Sequence, residues 1–464
     1  MDDETLRAKC QVMGAASDLY KTKDYVKAYE TARETIANDE VPEAFYLSCA
    51  WIIYRYLKQM AGNISDENIE VCSKFFFSHL KQPSLVRSLF LVQMIELSKN
   101  STGFDFLAFC IRYDICNLRS EDFTGNEIKT DSQVIHYDSL AEKLATRIYN
   151  IMKSMKSPHY ASLLMPFFEE VKKKCSKNKF IDMYLGLMHY WKGEAEAARK
   201  AFIHILQTDP QWYIWKNMMF VSKDAKEKTA FCCKAATLVS DERFKGNLHL
   251  QLAELLVDSD PPHAAMEIRK LFETYKSNSW RICGDAYILQ NKLSGVAAAS
   301  DSTAFYRIHA KKAEEIVYGN LKPVEMTYSK EITVRGKRKA NLYSLSPKVS
   351  LNVSVSRLGK GAKVGDIFMV RFNMVNHRPI VLTIDFARHS STPIRKRNDE
   401  KAEISGRVTL PRYGDYAFID YKYYVPVKLR FQHNLCEGQE IRALACKTKD
   451  GKWCITRIYG IEKQ

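Results

Sequence analysis

The sequence predicts a multidomain protein, α then β: a helical solenoid over residues 1–322, then one small β-barrel, or two in tandem, over the remainder. Three observations predict it. Apolar residues recur at intervals of three and four through residues 5–322, the spacing of one helix face. After Pro323 the interval drops to two, as in Ile332-Thr333-Val334 and in residues 349–355, the spacing of one strand face. Charge changes at the same place: the chain carries a net +16, and from Glu331 onwards 26 Lys and Arg stand against 12 Asp and Glu. The helical part is therefore near neutral, and the strand-rich end holds 14 of the 16 excess positive charges.

At 464 residues the chain exceeds one ordinary core, and 46% hydrophobic with 27% charged residues is the composition of folded globular domains. No apolar run approaches the roughly 20 residues of a membrane helix. The best candidate, residues 45–57, is broken by Arg55, and the N-terminal MDDETLR is acidic where a signal peptide is basic. A cytoplasmic protein without a membrane segment is expected. The 12 cysteines lack any CxxC pair, so reduced, mostly buried thiols are expected, with no metal and no cofactor.

Residues 184–210 read YLGLMHYWKGEAEAARKAFIHILQTDP. Leu185-Gly186, Gly193, Ala198, Phe202 and Pro210 stand at the spacing of a tetratricopeptide repeat, which the stretch resembles. Gly186 and Ala198 are small where two helices of a hairpin cross, Phe202 fills the groove between helices, and Pro210 ends the second helix. Residues 19–39 resemble the same repeat through Asp24-Tyr25, Ala28 and Ala32. Residues 250–275 resemble it through Leu252-Ala253, Ala265 and Leu271-Phe272, with Asp260-Pro261-Pro262 expected to distort the turn. The resemblance implies an α-solenoid with a protein partner on its concave face.

Between these repeats, residues 104–113 are expected as a packed aromatic helix and residues 124–131 as a solvated loop. A last helix, residues 303–318, is expected to cap the array with a stripe of Phe305, Ile308, Ala313, Ile316 and Val317. Residues 323–390 then read as a β-rich extension or a degenerate barrel, with turns at Gly336-Lys337, Gly359-Lys360-Gly361 and Asn376-His377. Phe368, Val370 and Phe372 are expected to point inward there, and Ile441, Ala443 and Ala445 in the last domain. A basic linker at 391–402 carries Arg395, Lys396 and Arg397, and residues 403–464 form the final barrel, of the oligonucleotide-binding type.

Within that barrel, residues 406–427 read GRVTLPRYGDYAFIDYKYYVPV. Tyr416 and Phe418 alternate with Ala417 and Ile419, so a strand here turns its small and branched residues to the core and both rings outward. Tyr413 and Tyr424 add rings; Arg407, Arg412, Lys422, Lys428 and Arg430 add cations. Rings interleaved with cations suit stacked bases and phosphates; sheet-face aromatics under a neighbouring helix are the alternative. Gly406-Arg407-Val408, residues 413–419, residues 423–426 and Glu437-Gly438-Gln439 together resemble a cold-shock domain, especially the modules that precede some exoribonuclease catalytic domains. The resemblance implies base stacking by Tyr416, Phe418 and Tyr424. Leu410, Asp415 and Ala417 depart from that family's pattern, which implies a weaker reader.

No Walker lysine motif, GxGxxG, HExxH or GxSxG occurs. Glu267-Ile268-Arg269-Lys270 echoes a nuclease Glu-x-Lys without the preceding strand and aspartate. An enzyme is not expected. The expected function is an adaptor that binds single-stranded RNA, or less readily DNA, through the barrel and a protein partner through the solenoid. Its architecture resembles the repeat-plus-cold-shock accessory proteins of bacterial defence systems. The rival expectation is an assembly subunit of a larger nucleic-acid enzyme with no nucleic-acid binding of its own. An RNA-binding solenoid is disfavoured by the near-neutral charge of the first 330 residues.

Overall fold

The computed structural model describes residues 3–60, 62–100, 103–130, 134–175, 178–334, 336–359, 361–389, 401–411, 413–447 and 452–461. The chain divides into two compact units, residues 1–321 with 373–380, and residues 322–372 with 381–464.

The helical unit begins with α1 (Asp3–Lys21), α2 (Tyr25–Ala37), α3 (Tyr46–Gln59), α4 (Asp66–His79), α5 (Leu85–Leu97) and α6 (Phe106–Tyr113). A hairpin of β1 (Asn126–Lys129) and β2 (Val134–Tyr137) follows, and then α7 (Leu140–Met155), α8 (Pro158–Lys174), α9 (Lys179–Trp191) and α10 (Ala195–Thr208). It ends with α11 (Trp212–Met218), α12 (Ala225–Leu238), α13 (Gly246–Leu256), α14 (Pro261–Ser277), α15 (Gly284–Lys292) and α16 (Thr303–Tyr318). Consecutive helices pack as pairs, α1 on α2, α9 on α10 and α13 on α14, and α3 meets both α1 and α2. Polar side chains set where the helices start: Ser139 and Glu142 form a reciprocal capping box on α7, and Asp24, Ser65 and Ser157 each accept a first-turn N–H.

The α9–α10 pair crosses as closely as its small residues require. A Cβ on Gly186 would stand 2.5 Å from the Phe202 ring, and Ala198 and Phe202 are fully buried. Ala28 and Ala32 are likewise buried on α2. Asp260-Pro261-Pro262 does not distort its turn: Asp260 caps α14 and both prolines occupy the first helical positions, where no intrahelical N–H bond is lost.

Further expectations are corrected in this unit. Residues 126–129 form a strand rather than a loop, because Ile128 pairs with Ile135 across the hairpin and the β-branched pair Val134-Ile135 supplies its partner strand. The buried stripe of α16 is Tyr306, Ala310, Ala313 and Val317, at intervals of four, three and four, whereas Ile308 and Ile316 are exposed. That helix packs on α12 and α10: Lys234 pairs with Glu314, Tyr318 donates to the Leu206 carbonyl at 3.1 Å, and its ring meets Trp215 edge-on at 5.6 Å. Residues 106–113 are the packed helix expected, with Phe106, Phe109 and Tyr113 buried. All 12 cysteines are free thiols; Cys49, Cys72, Cys110, Cys175, Cys232 and Cys233 are buried, and the others reach the surface in part or fully.

The second unit holds two sheets. One has five strands, β3 (Val324–Val334), β4 (Lys337–Leu345), β5 (Lys348–Ser354), β6 (Ile367–Val375) and β7 (Arg378–Arg388), in the order β5-β4-β3-β6-β7. Met326, Leu342, Phe368 and Val370 are fully buried at its core, and Phe372 packs beside them. The other is a closed barrel of β8 (Lys401–Thr409), β9 (Ala417–Ile419), β10 (Tyr423–Val425), β11 (Glu440–Lys447) and β12 (Trp453–Ile461), with a one-and-a-half-turn helix α17 (Val427–Gln432) between β10 and β11. One sheet closes into a barrel and the other does not, so of the two expected arrangements the observed one is a single barrel with a separate β-rich sheet. Closure comes from β10 pairing with β12 in parallel, while β9–β10, β11–β12, β8–β11 and β8–β9 pair antiparallel. Val408, Ala417, Ile419, Val425, Ile441, Ala443, Ala445 and Ile455 fill the interior. No helix among the described residues is long and apolar enough to cross a membrane.

Candidate nucleic-acid interface

Alternation along β9 decides which rings face out. Ala417 and Ile419 are completely buried, so Phe418 between them points away from the core. Tyr424 stands directly opposite Phe418 in the β9–β10 register and therefore shares its face. Tyr416, two residues before Phe418, completes the group. Ring centroids lie 5.6 Å apart for Tyr416 and Phe418, 5.7 Å for Tyr416 and Tyr424, and 6.0 Å for Phe418 and Tyr424. Three rings thus meet mutually on one outer face of the barrel.

Backbone contacts hold that face. Gly406 on β8 lies against β9, where a Cβ would run into the Asp420 carboxylate and the Ile419 side chain. The Asp420 carboxylate accepts the Arg407 N–H at 2.9 Å, and the Asp420 N–H donates to the Arg407 carbonyl at 3.0 Å. Asp420 and Tyr421 then reverse the chain with φ of 48° and 55°, closed by the Lys422 N–H on the Ile419 carbonyl at 3.0 Å. Arg430 on α17 donates to the carbonyls of Gly414 and Tyr416 at 3.3 and 3.5 Å, tying down the loop that carries Tyr416.

The cations named from the sequence do not all gather at this face. Arg407 reaches Glu440 at 3.1 Å, and Arg430 serves the loop carbonyls. Lys422 lies over the ring of Tyr423, 5.3 Å from its centroid, and Lys428 is exposed on α17. Tyr413 is almost fully exposed at 88%. Arg412, Arg395, Lys396 and Arg397 lie outside the described residues. Of the departures noted from the sequence, Leu410 packs against the barrel core instead of lying on the face. Its N–H is held by the Glu437 carboxylate.

A second aromatic group joins residues thirty positions apart. Tyr423, facing the opposite way from Tyr424, packs on Trp453 with centroids 5.9 Å apart, flanked by Lys422 and by Lys447 at 5.8 Å from the Trp453 ring. Both rings lie against the core cluster, so they close the barrel edge where β10 meets β12. The alternation of Tyr423 and Tyr424 was a signal for two faces, but only the β10–β12 pairing reveals Trp453 as the partner. On the neighbouring strand pair Cys446 and Cys454 stand opposite each other, and burial, then the neighbouring Cys446 thiol, pushes the Cys454 thiol up.

Such a surface offers flat apolar rings for stacking, backbone-anchored in position, beside scattered cations. Among the described residues no cluster of His, Cys, Asp and Glu is arranged to hold a metal ion. A family model described as a domain of unknown function (DUF7017) matches residues 179–313. No curated protein matches the chain. The matched stretch begins with α9, runs into α16 and leaves the barrel outside it.

Proposed function

We propose that the protein is a non-enzymatic adaptor that binds single-stranded nucleic acid, RNA in preference to DNA, on the Tyr416–Phe418–Tyr424 face, and a protein partner on its helical array. The observation that carries this reading is the mutual convergence of these three outward rings on a closed five-stranded barrel. Every base has a π-face, so stacked rings of this kind bind single strands without needing a base-specific contact. The 14 excess positive charges of the same end of the chain supply the phosphate attraction. A setting in bacterial antiviral defence belongs to this proposal on architectural resemblance alone.

Fluorescence anisotropy of the full-length chain with a labelled single strand of about 16 nucleotides, RNA and DNA in turn, is the direct test. Micromolar or tighter binding at low salt is expected. The Tyr416→Ala/Phe418→Ala pair removes two stacking surfaces, each worth about 1–3 kcal/mol, so affinity falls by about fivefold to a hundredfold per ring. Absence of binding at low salt would sink the proposal. It would favour the second reading, an assembly subunit whose barrel docks on a larger nucleic-acid enzyme. The engagement of Arg407 by Glu440 and of Arg430 by loop carbonyls is what speaks for that reading.

A further inference from the structure

Between α1 and α3 the helical unit opens a cavity of about 450 Å³, lined by Ser17, Tyr20, Ser48, Trp51 and Arg55, with exposed Lys21 beside them. Two polar atoms in that lining, Arg55 Nε and Ser17 Oγ, are buried without a hydrogen-bond partner among the described residues. The Arg55 guanidinium lies 5.7 and 5.5 Å from the ring centroids of Tyr25 and Tyr54. Those rings attract the cation through their faces, yet they accept none of its in-plane N–H groups. Among the described residues no carboxylate lines the cavity, and Asp18 is paired with Lys21 at 2.9 Å. An arginine that lines a cavity without a carboxylate partner leaves its positive charge uncompensated there, and a site of that kind favours an anion.

Its walls say what carries that anion. Trp51, braced edge-on by Tyr54 at 5.9 Å, stands with Tyr20 and the buried Ile52 beside the cation, an apolar and aromatic surface suited to a flat ring. We propose that this cavity binds a small aromatic anion, a flat ring bearing a phosphate or a carboxylate, with the anion beside the Arg55 guanidinium and the ring against Trp51 and Tyr20. The site is independent of the barrel face.

The test is a calorimetric titration of the full-length Tyr416→Ala/Phe418→Ala chain, in which the stacking face of the barrel is removed and the helical site is read alone. Four probes are used: adenosine monophosphate, indole-3-acetate, adenosine, and inorganic phosphate. At least one of the two ring-bearing anions is expected to saturate with a Kd below about 1 mM. Adenosine, a ring without the anion, and phosphate, an anion without the ring, are expected to bind about tenfold more weakly or worse. Which of the two ring anions binds identifies phosphate or carboxylate as the group. Arg55→Gln is expected to weaken that binding by about tenfold or more while helix content and the unfolding midpoint are retained. Should Arg55→Gln unfold the chain, Ser48→Glu, at an exposed position of the lining, places a carboxylate against the incoming anion and is expected to weaken binding similarly. The proposal is overturned by no saturation with either ring anion, by adenosine or phosphate binding equally well, or by unchanged binding in the folded variant.

Discussion

Tyr421 carries a backbone conformation that a tyrosine seldom adopts. With φ of 55° next to Asp420 at 48°, it occupies the second left-handed position of a tight turn, where Asn or Gly is the usual residue, and its side chain is 82% exposed. Nothing in the described packing holds it there, so Tyr421→Asn is expected to stabilise the barrel by about 1 kcal/mol, seen as a higher denaturation midpoint. A lowered midpoint would show that the ring supports the fold. A charged residue gives a second residue-scale expectation. Burial pushes the Asp366 carboxyl up, but the Lys363 N–H at 2.8 Å and His389 at 2.9 Å outweigh burial and hold its pKa below the ordinary value of 3.8. Because the folded value is the depressed one, the stabilisation is complete above the unfolded pKa and is lost as pH falls through the folded one. Acid unfolding followed below about pH 4 should show this loss, and Asp366→Asn should flatten that part of the profile while lowering stability at neutral pH.

Elements show where the sequence was readable and where it was not. The α9–α10 pair was legible because its constraint is local: Gly186 and Phe202 face each other within one hairpin, and the residue types follow from that contact. Phe202→Ala would leave a cavity there and is expected to cost about 3–5 kcal/mol, measured as a shift in urea midpoint of the helical unit. The α16 stripe is not legible from periodicity because its buried members include a tyrosine whose hydroxyl is answered from another helix. Tyr306 donates to the Glu267 carboxylate at 2.7 Å, and Glu267 in turn meets His249 at 2.6 Å, all three being buried. That partnership spans α13, α14 and α16 and left no trace in periodicity. It also gives the Glu267 carboxylate of the Glu267-Ile268-Arg269-Lys270 stretch two buried partners, His249 and Tyr306. Tyr306→Phe is expected to destabilise by about 1–3 kcal/mol, since a buried carboxylate loses a donor. The ring face of the barrel was legible for the same reason as α9–α10, from alternation over three residues, Ala417 to Ile419, whereas Trp453 depended on a parallel pairing about thirty residues away.

Across the whole molecule, the family-model match and the charge fall on different parts of the chain. The match covers residues 179–313, in a helical stretch that ends before the 26 Lys and Arg counted from Glu331 onwards begin. If the charged end holds a single strand, electrostatics and stacking are separable in one experiment, because phosphate contacts release counterions and ring contacts do not. A strand touching about four phosphates gives a slope of about −3 in log affinity against log salt. Lys428→Ala, on an exposed residue of α17, should then reduce the steepness by about 0.7 when it removes one such contact. Tyr416→Ala should lower affinity by a similar factor at every salt concentration and leave the slope unchanged. A Tyr416→Ala effect that vanished at high salt would assign that ring to loop positioning, since Arg430 reaches the Tyr416 carbonyl and not its ring, and the stacking role would pass to Phe418 and Tyr424.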